Sequence, residues 1–280
     1  MSNNQQSATY VVAAMYHFFD FPDFEKRRDA ILAEFIKHNI KGSLLIASEG
    51  FNGTISGTRE DIDTILDYLK REVAKSDFEH KESFYTRQPF GRAKVRLKRE
   101  TISVGEPVSR EHVGTYIDPK DWNDLISQPD VLLLDTRNRY ETHLGTFEGA
   151  IDPDTRVFKE LPAFVRKNFD PKKHKKVATF CTGGIRCEKF TAWMKQEGFE
   201  DVYHLKGGIL KYLEEIPQEH SKWQGECFVF DERVAVGHGL HPTTKAVMCP
   251  NCGLPVTEED KKHPLYIEGK QCQFCDDVEE

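Results

Sequence analysis

Seven cysteines stand in this 280-residue chain, and their spacing separates them into two chemistries. The first centres on Cys181 in the run FCTGGIRCEKF. An apolar segment, KVATF over residues 176–180, delivers Cys181 into a loop that holds Gly183 and Gly184, and a helix is predicted to begin near Cys187. Glycines let successive backbone N–H groups converge without side-chain obstruction, and a helix N-terminus adds partial positive charge. Arg186 adds a formal one. Such surroundings favour a thiolate over a thiol, and the thiolate is the nucleophile. Cys181 and Arg186 are therefore the expected catalytic pair, with Thr182, Gly183, Gly184, Ile185 and Cys187 as the loop around them. The competing reading of Cys181 is a small buried residue at a strand end. Cys187 reads first as a structural residue that opens the helix, with a resolving thiol as the alternative.

The second chemistry is metal binding. Cys249-Pro-Asn-Cys252 and Cys272-Gln-Phe-Cys275 are two CxxC pairs with 19 residues between them. This interval fits a zinc ribbon, in which two turns present four thiolates to one tetrahedral ion. Residues 257–280 hold eight acids and three bases and few apolar side chains, so a structural Zn²⁺ is expected to replace a core there. His238 and His241 lie just upstream and could be ligands, but with four thiolates available they are read as loop residues or part of the active region. Cys227 is left without a firm role.

The surrounding elements follow from periodicity. Residues 9–100 read as strand–helix–strand–strand–helix–strand, the order of a ferredoxin-like α+β unit, with further extended segments near residues 81–86 and 93–99. In residues 111–220, the continuous apolar runs Val131–Leu134 and Lys176–Phe180 alternate with helical patterns at 118–128, 160–168, 187–197 and 208–215. Such runs between helices predict a parallel sheet covered on both faces, with functional residues at the carboxyl ends of its strands. Asp135 and Cys181 fall there. The domains expected are 1–110, ferredoxin-like; 111–225, α/β and catalytic; and 226–280, the cysteine-rich tail. Asp135 and Arg137 either order the cysteine loop through charge-assisted hydrogen bonds or close the strand end as a local ion pair. Glu141 reads as a surface or helix-cap charge.

The formal net charge of −7 conceals segregated blocks. Residues 86–99 carry Arg87, Arg92, Lys94, Arg96, Lys98 and Arg99 and no acid. As a strand, AKVRLKR would place Lys94, Arg96 and Lys98 on one face and Val95 and Leu97 in the core. These six bases are the expected RNA-binding residues, against the alternative of a charged edge that blocks aggregation. Residues 166–176 form a second basic block, from Arg166 to Lys176, equally suited to either role. Phe51 and Phe90 are candidates to stack on unpaired bases, although a core role suits each taken singly. The first residues, MSNNQQSATY, combine neither a basic start nor an apolar stretch, so a cytoplasmic setting with reduced thiols and no membrane association is expected.

The CTGGIR loop, the DTRNRYE segment with Asp135, Arg137 and Glu141, the GTFEGAI run and HLKGGI together resemble a rhodanese domain. More closely, the whole arrangement resembles the bacterial rhodanese-family tRNA uridine(34) hydroxylases. ASEGFNGTISG near the start, CTGGIRCEK, and CFVFDERVAV leading into the four-cysteine tail all take part in that likeness. The resemblance implies oxygen-dependent 5-hydroxylation of the wobble uridine, with Cys181 essential, O2 as co-substrate and the tRNA anticodon loop as partner. No haem, flavin or nicotinamide motif is legible. A rhodanese-type sulfurtransferase carrying a persulfide on Cys181 is the alternative, and a non-enzymatic zinc-dependent adaptor is a third reading.

Overall fold

Alternating apolar residues make Tyr10–Phe18 (β1) a strand that turns Val11, Ala13 and Met15 into a core. The computed structural model describes residues 9–275, and the chain divides into two compact units at the Ile102–Ser103 junction. In the first unit β1 leads to helix α1 (Phe24–Lys37), which buries Ile31 and Phe35 four apart on one face. Strands β2 (Lys41–Ala47) and β3 (Gly50–Gly57) follow, then α2 (Arg59–Tyr68), β4 (His80–Tyr85) and β5 (Ala93–Leu97). Helix α2 starts where the Thr58 side chain accepts the Asp61 N–H at 3.2 Å, satisfying one of the donors that a helix start leaves open.

The five-stranded sheet has the order β4–β1–β3–β2–β5. Its first four strands are antiparallel neighbours in the ferredoxin-like arrangement, and β5 adds parallel to β2. Val11, Ala13, Leu44, Ile46, Phe51, Ile55 and Val95 share one sheet face and pack with Ile62, Ile65 and Leu69 of the second helical segment. Phe51 is fully buried in this core, as the core role favoured for it requires, and offers no stacking surface. One expectation changes here. Leu97 is 45% exposed although it lies on the core side of the sheet, because β5 is an edge strand and the helices do not extend over its end.

The second unit alternates strands and helices: β6 (Thr115–Ile117), α3 (Pro119–Ile126), β7 (Val131–Asp135), α4 (Arg139–Thr142), β8 (Gly145–Phe147), α5 (Leu161–Asn168), β9 (Lys176–Phe180), α6 (Ile185–Gln196), β10 (Asp201–Leu205) and α7 (Gly208–Glu215). β6, β10, β9 and β7, in that order, form a wholly parallel sheet. The continuous apolar runs arise because helices cover both faces: Val177, Ala178 and Phe180 are fully buried. A short ribbon pairs β8 with β11 (Trp223–Gly225), and Phe147 packs edge-on to Phe180, Tyr212 and Trp223 at 4.7–5.1 Å. Beyond residue 225 come two hairpins, β12 (Cys227–Phe228) with β13 (Ala235–Val236) and β14 (Ala246–Met248) with β15 (Pro255–Thr257). These belong to the same unit as the parallel sheet. No helix among the described residues is long and apolar enough to cross a membrane.

Phe51→Ala should destabilise the first unit by about 3–5 kcal/mol, the usual cost of emptying a buried aromatic site. Urea unfolding of the full chain measures this, and an exposed, ligand-facing Phe51 would show almost no loss.

Candidate active site

The loop after β9 is held from three sides. From below, the first N–H groups of α7 point at it: Ile209 N donates to the Cys181 carbonyl at 2.9 Å and Leu210 N to the Thr182 carbonyl at 3.1 Å. The loop carbonyls thus satisfy donors that a helix start leaves open. The approach requires glycine, because a Cβ on Gly208 would lie 2.5 Å from the Cys181 oxygen and 2.6 Å from that of Thr182, and its φ is +68°. From β7, the Thr136 hydroxyl donates to the Phe180 carbonyl at 2.9 Å and lies 3.3 Å from the Cys187 sulfur. From α4, Glu141 reaches the loop with both oxygens. It accepts from Arg186 Nη1 and Nη2 at 2.5 and 2.6 Å, and from the Thr182 hydroxyl at 3.0 Å.

At the centre, Cys181 is 1% exposed. Its sulfur accepts the Gly184 N–H at 3.1 Å, made possible by the left-handed φ of +104° at Gly184. Burial pushes this thiol up. The Cys187 thiol, the Arg186 charge and the N–H groups of Cys187 and Gly184 outweigh that and bring it to about 6. Cys181 is therefore largely thiolate at neutral pH. Burial and the neighbouring Cys181 charge push Cys187 well up, so Cys187 stays a thiol that donates to Cys181. Burial disfavours the Glu141 carboxylate, but Arg186 holds it below its usual range, and Glu141 in turn raises the guanidinium further. The site can present a buried sulfur nucleophile inside a main-chain N–H cradle.

Asp135 and Arg137, both fully buried, sit at the strand end as expected but do not touch this loop in the manner of Glu141. Arg137 Nε and Nη2 donate to the two Asp135 oxygens at 2.9 and 2.6 Å. The same guanidinium donates to the Gly145 carbonyl at 2.6 Å and stacks over Trp223 at 5.1 Å. Their pairing closes the strand end and ties α4 and β8 to it. Cys227 lies in the same region, buried and pushed up to about 12, which makes it an inert packing residue.

Sequence reasoning missed the depth of Glu141, the contact of Thr136 and the closeness of Gly208. Asn138 three residues before Glu141 signals a helix start, and the Asn138 N–H does donate to Glu141 at 3.2 Å. Nothing local signals the arginine 45 residues away.

The four tail sulfurs lie within 4.8 Å of one another. Separations of 3.8 Å for Cys249–Cys275, 3.5 Å for Cys252–Cys272 and 3.9 Å for Cys272–Cys275 match the roughly 3.8 Å edges of a tetrahedral zinc–thiolate site. The donor set fits a structural Zn²⁺, and no histidine joins the cluster among the described residues. The tail also packs on α4. Tyr140 shares a core with Phe228, Leu254, Val256 and Phe274, and His143 contacts Asp260 at 2.7 Å. Of the predicted RNA-binding residues, Lys94 and Arg96 lie on edge strand β5 and Arg92, Lys98 and Arg99 are exposed next to its ends, while Arg87 is exposed at the opposite edge of the sheet, against Tyr85 of β4. In the second basic block Arg166 is engaged by Glu106 and Glu197 and Lys176 by Asp130, which leaves Lys167, Lys172, Lys173 and Lys175 as its other exposed bases.

Residues 118–215 match the rhodanese-like domain family, so the second unit contains a rhodanese-like domain. Residues 10–101 match the family described as the UPF0176 acylphosphatase-like domain, so the chain joins that N-terminal domain to a rhodanese-like one. Among solved structures, the chain is similar to a rhodanese-related protein from Thermoplasma volcanium, at 25% identity over 36% of this chain and 92% of that one, with a TM-score of 0.31. It is similar to a rhodanese-like domain from Anabaena at 17% identity, covering 39% and 78% of the two chains, with a TM-score of 0.32. An acylphosphatase from Coxiella burnetii matches at 9% identity, over 34% and 100%, with a TM-score of 0.27.

Arg186→Met should raise the midpoint of Cys181 alkylation from about 6 toward the ordinary thiol value of about 8.5, and should destabilise the second unit by about 3–5 kcal/mol. Adding Glu141→Leu should recover most of the stability and none of the acidity, as measured by iodoacetamide rate against pH and by denaturant unfolding. For the tail, wild-type protein should hold one zinc per chain by elemental analysis. Cys249→Ser should lose it and melt at a lower temperature.

Proposed function

We propose that the chain is a tRNA-modifying enzyme that 5-hydroxylates the uridine at wobble position 34, with Cys181 as its essential residue. The observation that carries this reading is the buried Cys181 sulfur that accepts the Gly184 N–H at 3.1 Å, with the Arg186 charge fixed in the same loop by Glu141; these surroundings bring the thiol down to about 6. A thiolate can add to C6 of a uracil ring and raise the electron density at C5, the atom that gains oxygen. The overall change puts one atom of O2 into the C5–H bond. The other leaves as water with two protons and two electrons from a reductant. Attack on a base requires it unstacked, and an anticodon loop lowers that cost. The resemblance of the whole chain to the uridine(34) hydroxylases supports this substrate, and the basic segment 87–99, which includes β5, supports a polyanionic partner. The four-cysteine tail takes zinc in a structural role.

The second reading, sulfur transfer, rests on the same N–H cradle, which stabilises a persulfide on Cys181 as well as a thiolate. Nucleoside mass spectrometry of a deletion strain separates the two. Loss of 5-hydroxyuridine derivatives, restored by wild type and not by Cys181→Ser, is expected. Unchanged nucleosides together with robust thiosulfate-to-cyanide turnover by the purified protein would assign sulfur transfer instead.

A further inference from the structure

We infer that Cys181 and Cys187 are a reversible redox pair, in which Cys187 is the resolving thiol that closes a disulfide on an oxidised Cys181. This goes beyond the tRNA reading and does not depend on which substrate the Cys181 thiolate serves. The pair is made by the path of the loop. Cys181 leaves β9, the chain reverses at Gly183 and Gly184, and the first turn of α6 brings Cys187 back so that its thiol donates to the Cys181 sulfur. Cys187 is fully buried against it. A Cβ on Gly183 would meet nothing within 4 Å, so the loop has room to shift as the sulfurs close from hydrogen-bond contact to the roughly 2.05 Å of a bond.

Two threonines set the chemistry of Cys187. Thr136 commits its hydroxyl hydrogen to the Phe180 carbonyl at 2.9 Å and lies 3.3 Å from the Cys187 sulfur. Thr179 commits its own to the Tyr203 carbonyl at 3.3 Å and touches the same sulfur. A hydroxyl has one hydrogen to give, so neither supports a Cys187 thiolate, and the proton stays on Cys187 while Cys181 is charged. Oxidation of Cys181 to a sulfenic acid removes that charge, which holds Cys187 up, and leaves the Arg186 guanidinium in place. Cys187 thus gains nucleophilic character once its neighbour has lost it. Cys227, the other buried thiol of the region, donates to the Phe228 carbonyl at 3.7 Å instead.

The oxidant is a hydroperoxide. The Cys181 thiolate attacks its terminal oxygen, the O–O bond breaks, and the leaving alkoxide or hydroxide takes a proton from water. The sulfur loses two electrons and the peroxide gains them. The Cys187 sulfur then attacks the Cys181 sulfur, the S–O bond breaks, and the departing hydroxide takes the Cys187 proton and leaves as water. A dithiol reverses the bond by exchange and is itself oxidised. The pair keeps Cys181 from the irreversible sulfinic state.

The test treats the full chain with hydrogen peroxide, then alkylates, digests and weighs the peptides. Trypsin cuts after Lys176, Arg186 and Lys189, so the disulfide joins peptides 177–186 and 187–189. That linked pair should appear in the unaltered protein, a readout independent of how any variant folds. Dithiothreitol should remove it and restore alkylation of Cys181. In Cys187→Ser, Cys181 should lose alkylation irreversibly as its sulfur gains two oxygens. Cys227→Ser should form the same link as wild type. No linked pair in wild type, with Cys181 passing to sulfinic acid as fast as in Cys187→Ser, would overturn the pair, and so would a link from Cys181 to Cys227. Either result leaves the tRNA reading standing, since the nucleosides of the deletion strain decide that one.

Discussion

The two-oxygen grip of Glu141 on Arg186 is the interaction on which the active region depends. Both groups are buried, so each charge is tolerable only because the other is present. The pair draws α4 against the loop after β9 and sets a fixed positive charge near the Cys181 sulfur. Glu141 also takes the Thr182 hydroxyl, so the carboxylate orients the loop on both sides of its glycines. A thiolate at 1% exposure would otherwise be driven back to the thiol by desolvation, the largest single influence on it.

Around that pair the unit is arranged as successive supports. α7 holds the loop carbonyls through its first N–H groups, and the bare Gly208 allows the approach. Asp135 and Arg137 bind each other and the backbone of β8, which keeps α4 where Glu141 can reach inward. On its outer side α4 meets the cysteine-rich segment through Tyr140 and His143. The metal-type cluster and the nucleophile are therefore linked through a four-residue helix. The tail supports the helix that reaches the Cys181 loop.

The first unit solves a different problem. Its sheet covers a hydrophobic core on one side, and the strand positions of the other side carry no carboxylate. β5 adds bases at an edge, where lysine and arginine also block strand addition. One set of residues thus serves solubility and, in the proposed function, contact with phosphates.

Much of this was legible in the chain itself. The apolar run before Cys181, the glycines after it, and the paired CxxC turns reveal a strand-delivered thiolate and a four-thiolate cluster, because both depend on residues close in sequence. The helix and strand periods likewise place α5, α6, α7, β7 and β9 within a few residues. What the chain could not reveal depends on distant partners. Glu141 looked like a cap charge because its arginine lies 45 residues away. Phe51 suited either a core or a stacking role, and its neighbours from β1 and the segment around Phe78 are what place it in the core. Local pattern determines which elements form and which residues have the right chemistry. Tertiary packing alone decides which charge is buried beside which sulfur and which face of a sheet the helices cover, because desolvation and cross-strand register exist only once the segments meet.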